Sequence, residues 1–436
     1  MATEKHTLDN GLTVLLSESH RAPVTTFWIW YRVGSRNEVP GITGIAHWAE
    51  HMLFKGSQAF PKGQIDKQIA RNGGVMNGLT WLDFTTFFET LPADRIDLAL
   101  RIESDRMVNA LFDPEEVALE RTVIISERQG AENQPTFLLG EELVASAFRV
   151  HPYHHETIGD MCDLETISHE QLWRHYQTFY GPNNAVAAAV GDFEAPRMLE
   201  RIEELFGPLT TRPGPPPVHR PEPPQRGERR VNLAGPGSTS YLQLAYHAPA
   251  ASAPDFFPMA VLSTILTGAT GMNLFSGSPP NRTSRLYKAL VETELAASVS
   301  GSLSPTLDPY LYRISATTRS GKTPVQIEEA IDAEVERILA EPISADELET
   351  ALKQTKAQFA YSSESVTNQG FWLGYSSVVA DIEWFETFLD RLEAVTVEEV
   401  HRVANAYLES GNRTVGHYVG QAGAASSGRS GEEVGA

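Results

Sequence analysis

The sequence predicts an α+β fold of two homologous domains, each a mostly antiparallel sheet with helices packed on one face. Three observations carry this reading. Strand-like and helix-like segments are intermixed rather than strictly alternating. A segment of the first half recurs in the second at a constant offset of 228 residues. A proline-rich stretch divides the chain near its middle. At 436 residues the length suits two or more domains, and 41% hydrophobic with 21% charged residues describes a globular chain rather than a disordered one.

Residues 25–31 and 242–246 are rich in β-branched and aromatic side chains and read as strands, while 254–266 and 325–339 read as helices. Leu164, Ile167, Ser168, Glu170 and Leu172 recur as Leu392, Val395, Thr396, Glu398 and Val400, with Phe179 on Tyr407 and Asn184 on Asn412. Ser168 and Thr396 each read as a helix start. Each copy then runs through an amphipathic helix into an apolar strand. The prolines of 213–228 exclude helix and central strand and favour an extended spacer. The expected division is therefore 1–212, the linker 213–228, 229–420, and a disordered tail of Gly, Ala, Ser and Glu over 421–436.

Composition narrows the function. The net charge of −21 argues against a nucleic-acid partner. The single cysteine, Cys162, excludes an internal disulfide and a cysteine-based metal site, and it reads as a small buried apolar residue. The first residues show no apolar leader, and no segment reaches membrane-spanning length, so a cytoplasmic location without a membrane partner is expected.

The chemistry concentrates in His47-Trp48-Ala49-Glu50-His51. Histidines four apart lie on one helical face and can reach one metal ion. Glu50 leans over the same spot and can take a proton from the attacking water, as a zinc hydrolase requires. The pattern also fits two ordinary helix histidines beside a surface Glu. Thr43 reads as the N-cap of this helix and Gly56 as its stop.

A third ligand is sought downstream. Asp113-Pro114-Glu115-Glu116 is a helix start, with Asp as the cap, Pro at the first helical position and acids in the first turn. Val117, Glu120, Ile124 and Glu127 then share one stripe. Two carboxylates in a partly apolar stripe call for a compensating charge such as a dication, although two solvated surface acids fit the spacing as well. His151, His154 and His155, near Glu156 and Asp160, form a second cluster, better read as loop packing than as a metal site.

These motifs resemble the pitrilysin-type (M16) zinc metallopeptidases, whose signature is H-x-x-E-H followed further along by E-x6-E. The resemblance extends through Asp9-Asn10-Gly11, Gly34–Glu38, His51–Ser57, Gly73–Gly78 with Thr80 and Asp83, His151-Pro152-Tyr153 and Tyr180–Asn184, and covers most of residues 5–420. It implies that His47, His51 and Glu127 hold Zn²⁺, that Glu50 is the general base, and that Glu120 supports His51. It implies a zinc-dependent endopeptidase acting on peptides or unfolded segments in an enclosed chamber. Val75, Met76, Asn77 and Gly78 read either as an open strand edge for an extended substrate or, equally well, as an ordinary protected edge strand.

One departure matters. The family's second domain carries an Arg and a Tyr that hold the scissile carbonyl, but here Val291 and Ala297 stand in their places. Neither side chain donates a hydrogen bond, and loss of one such donor costs about 2.7–4 kcal/mol of transition-state stabilisation. The expected partner is therefore a homologous M16 subunit that lacks the zinc motif and carries the Arg/Tyr pair. Arg285, Tyr287, Tyr310 or Tyr312 are the in-chain substitutes to test. A presequence-processing peptidase subunit, a self-sufficient homodimer and a non-catalytic structural subunit are the alternatives.

Overall fold

The computed structural model describes residues 3–269 and 282–421, so the expected tail lies, after Gln421, outside the described residues. The first half builds β1 (Glu4–Thr7), β2 (Thr13–Glu18), β3 (Val24–Tyr31), β4 (Val75–Thr80), β5 (Thr85–Pro92) and β6 (Ala185–Gly191). The second builds β7 (Arg229–Pro236), β8 (Tyr241–Ala248), β9 (Ala296–Leu303), β10 (Tyr310–Thr318) and β11 (Arg413–Gln421). The sheet orders are β1-β2-β6-β3-β5-β4 and β7-β11-β8-β10-β9. Apart from β1 they match strand for strand. Each contains one parallel pairing, β2 with β6 and β7 with β11, in an otherwise antiparallel sheet. The α+β reading of two like halves holds.

The helices used below are α1 (Ile45–Leu53), α2 (Pro114–Glu132), α3 (Pro135–Ala147), α4 (His169–Phe179), α5 (Phe256–Thr267), α6 (Pro324–Ala340), α7 (Ala345–Ser362), α8 (Val366–Val379) and α9 (Val397–Tyr407). The repeat seen in sequence reappears as local chemistry. The Ser168 hydroxyl accepts the Gln171 N–H at the start of α4, and the Thr396 hydroxyl accepts the Glu399 N–H at the start of α9. Asn184 Nδ2 donates to Phe179 O at 2.9 Å, and Asn412 Nδ2 to Tyr407 O at 2.8 Å, so the same amide closes the same turn before β6 and β11.

α1 packs on α2 and α4 in the first half, as α5 packs on α7 and α9 in the second. The other face of each sheet is covered by a helix from the opposite half. α3 lies on β7, β8 and β11, while α8 lies on β3 and β6. Trp28 and Trp30 of β3 pack edge-on against Phe371 of α8, and one buried cluster runs through both halves. The linker 213–228 forms no helix or strand. It is fastened by Glu222, whose carboxylate accepts the N–H groups of Arg149, Val150 and His151 at 2.7–3.0 Å. Among the described residues no helix is long and apolar enough to cross a membrane.

Candidate metal centre

α1 begins at Gly44, which has a left-handed φ of +85° and supplies no side-chain cap. Thr43, the expected cap, is engaged elsewhere: its N–H and hydroxyl both donate to Asp163 Oδ2, at 2.9 and 2.7 Å. The helix ends at Leu53, and Gly56 turns the chain just beyond it with φ +111°. Within the helix, Trp48, Ala49, Met52 and Leu53 are buried, which fixes the opposite face with His47 and His51 half-buried.

The two imidazoles converge, with Nε2 to Nε2 at 3.2 Å. Glu120 Oε1 lies 2.8 Å from His51 Nδ1. That contact places the ring proton on Nδ1 and leaves the Nε2 lone pair aimed at His47. Glu127 Oε2 lies 3.7 Å from His51 Nε2. The ligand atoms of His47, His51 and Glu127 all fall within 4.8 Å of one another, the one such group among the described residues. Two nitrogens and a carboxylate oxygen around one point suit Zn²⁺. Burial, and then His51, hold the His47 pKa down to about 4, so its ring is neutral and able to ligate near pH 7.

α2 delivers the carboxylates as its stripe requires. Asp113 caps it by accepting the Glu115 and Glu116 N–H groups at 2.8 and 3.3 Å, with Pro114 next in line. Val117, Glu120 and Ile124 are buried, whereas Glu127 is exposed at the metal end. Glu120 also pairs with Lys55. Burial raises its pKa, but the hydrogen bonds from His51 and Lys55 reverse the sign and keep it ionised.

Glu50 is buried, and its Oε2 accepts the Thr80 hydroxyl at 2.9 Å. Burial raises its pKa, which strengthens it as a base. β4 is the edge strand beside it, with Val75 and Asn77 exposed. A Cβ at Gly78 would stand 2.8 Å from the Phe54 ring and 3.0 Å from Glu50 Oε1. Of Val75, Met76, Asn77 and Gly78, it is Gly78 whose backbone lies beside the base.

The model described as "Insulinase (Peptidase family M16)" matches residues 13–161, and that described as "Peptidase M16 inactive domain" matches 166–355. The chain belongs to peptidase family M16. It is 27% identical over 417 residues to the zinc protease PqqE of Helicobacter pylori, covering 94% of this chain and 91% of that one. It is 26% identical over 413 residues to a probable mitochondrial-processing peptidase subunit beta of Arabidopsis thaliana, covering 93% and 76%. The crystal structure of a protease from Helicobacter pylori superposes with TM-score 0.90 at 26% identity, covering 96% of this chain and 99% of that one.

Elsewhere in this M16 chain the nominated in-chain donors are mostly committed. Arg285 makes a two-pronged pair with Glu347 at 2.8 and 3.0 Å. Tyr312 is buried with its hydroxyl 3.4 Å from Thr267, and Tyr310 is buried against Phe148 and Tyr153. Tyr287 is half-buried, and Ala297 is exposed on β9. The histidine cluster holds loops together: His151 reaches Asp308 at 3.1 Å, His155 reaches Glu38 at 2.8 Å, and His154 reaches His151 O at 2.9 Å. Cys162 is exposed rather than buried, because the short helix carrying it turns Leu164 inward instead. Sequence reasoning missed Lys55 and the role of Thr80. Each is a polar side chain beside an identified one, and its partner comes from a distant element.

Proposed function

We propose that this chain is the metal-bearing subunit of a zinc-dependent endopeptidase. The observation that carries the reading is the convergence of His47, His51 and Glu127 beside the buried carboxylate of Glu50. Bound to those three residues, Zn²⁺ would polarise the scissile carbonyl and acidify the attacking water. Glu50 takes that water's proton and returns it to the leaving amine, with the Thr80 hydroxyl holding the carboxylate in place. Glu120 fixes the His51 ring. An extended peptide adds to the edge of β4 through its backbone, which gives affinity with little demand on sequence.

The carbonyl-binding donors come from a second chain in this reading, a homologous M16 subunit without the zinc motif that carries the Arg/Tyr pair and closes an enclosed chamber. The engagement of Arg285, Tyr310 and Tyr312 supports this. The relatives named as beta subunits of mitochondrial-processing peptidase favour presequence processing as the second reading. The test is to isolate the native partner and assay each chain alone and mixed. Activity is expected on mixing, and full activity from the pure homodimer would overturn the split site. Glu50→Gln is expected to keep the metal and lower kcat by about 10²–10⁴-fold. Peptidase turnover unchanged in that variant removes Glu50 as the base.

A further inference from the structure

The metal helix α1 lacks a cap of its own for a steric reason. A Cβ at Gly44 would stand 2.5 Å from Ile158 O and 3.0 Å from Leu164 Cδ2, so no side chain fits at its N-cap. A helix start leaves backbone N–H groups without partners, and here they are buried. They are met by Glu38, six residues upstream: one carboxylate oxygen accepts Gly44 N–H and the other Ala46 N–H, each at 2.8 Å. His155 Nε2 contacts the first oxygen at 2.8 Å. Glu38 is 3% exposed and His155 6%.

Both residues are themselves anchored. Glu38 follows the turn Ser35–Asn37, whose Ser35 and Arg36 N–H groups donate to Trp81 O and Leu82 O at 3.1 and 2.9 Å. His155 ends a segment in which the Tyr153 hydroxyl donates to Asp83 at 2.6 Å and His151 reaches Asp308 at 3.1 Å. The carboxylate that completes α1 is therefore held on two sides, and its second N–H partner is the residue before His47.

We infer that Glu38, locked by His155, is a positioning residue for the metal centre: it caps α1 from outside the helix and sets where the His47 ring stands. The inference rests on the metal-bearing function proposed above. An ordinary N-cap would stabilise the helix alone. This one adds a buried negative charge at the positive end of the helix, one residue from a ligand, so its loss moves metal binding as well as stability.

The test measures Zn²⁺ affinity by chelator competition, together with the visible spectrum of the Co²⁺-loaded chain, which reports ligand geometry. Glu38→Gln keeps the shape but sets an amide N–H₂ against one backbone donor. We expect Zn²⁺ binding about tenfold weaker and a shifted Co²⁺ spectrum, in the range seen when supporting groups around a metal site are removed. His155→Phe is expected to move both readouts the same way, and His155→Gln, which keeps an N–H donor for Glu38, to restore them in part. Gly374→Ala, placed on α8 against Trp30, lowers stability and is expected to leave both readouts unchanged. Folded Glu38→Gln and His155→Phe chains with wild-type affinity and spectrum would overturn the inference. If Glu38→Gln does not fold, the two His155 variants decide alone. A wild-type chain that binds no Zn²⁺ overturns the proposed function, and this inference with it.

Discussion

The two halves put different helices in the same architectural place. α1 carries His47, Glu50 and His51 and meets the carboxylates of α2. α5 occupies the matching position in the second half, where the described residues hold no such ligand group, and all twelve of its residues are buried. Its polar groups are confined to hydroxyls. Thr264 and Thr267 return hydrogen bonds to Ala260 O and Ser263 O within the helix, and Thr264 meets Thr355 of α7 at 3.0 Å. The scaffold does not itself create a metal centre. Charge is tolerated at α1 because Glu120, Lys55, Thr80 and the paired imidazoles answer one another, whereas α7 meets α5 through the Thr355 hydroxyl.

This contrast can be broken directly. Ser263 and Thr267 stand at the spacing of His47 and His51, so Ser263→His with Thr267→His copies the ligand spacing into α5. The double variant is expected to bind no second Zn²⁺ and to lose about 3 kcal/mol or more of stability, because two rings enter a filled core. Metal stoichiometry and denaturant unfolding read both outcomes. A second equivalent of bound Zn²⁺ would show that helix spacing alone suffices.

The exchanged helices offer a smaller and sharper contrast. On α8, a Cβ at Gly374 would fall on the Trp30 indole, and one at Gly370 would stand 2.6 Å from Trp28 Nε1. On α3, a Cβ at Gly140 would make ordinary contact with Gln243 at 3.4 Å. Gly374→Ala is expected to cost about 2–3 kcal/mol. Gly140→Ala is expected to range from neutral to about 1 kcal/mol stabilising, since alanine suits a helix interior better. Equal losses at the two sites would mean that the seams are equally tight and that the indole stack is not special.

Much of this was legible in the sequence because it rests on local periodicity. The i, i+4 histidines, the acidic stripe of α2 with its Asp113 cap, and the 228-residue repeat all follow from spacing, and the structure places each where spacing puts it. Local sequence points to Thr43 as the cap of α1, but Asp163 lies far along the chain and only the fold brings it to that hydroxyl. The crossing of α3 and α8 had no local signal. An apolar helix face states that it will be buried, not which sheet will bury it. Cys162 shows the same limit from the other side, since its exposure is set by the direction of one short helix.

The gentlest way to sharpen the comparison uses the repeat itself. At the 228-residue offset, His175 of α4 corresponds to Val403 of α9, and both are buried. His175 Nε2 has no hydrogen-bond partner among the described residues, and burial pushes the ring pKa down from 6.5 to about 3. The folded chain therefore resists a proton that the unfolded chain accepts. The group carries no penalty above pH 6.5, and the folded state loses ground steadily as pH falls from 6.5 toward 3. His175→Val makes the two halves alike at this position and removes that term. Urea unfolding at pH 7 and pH 5 should show a smaller acid loss in the variant than in the parent, whatever constant offset the smaller side chain brings. An identical loss in both would show that the ring finds a partner when protonated, and that the two helices differ less in their surroundings than in their sequence.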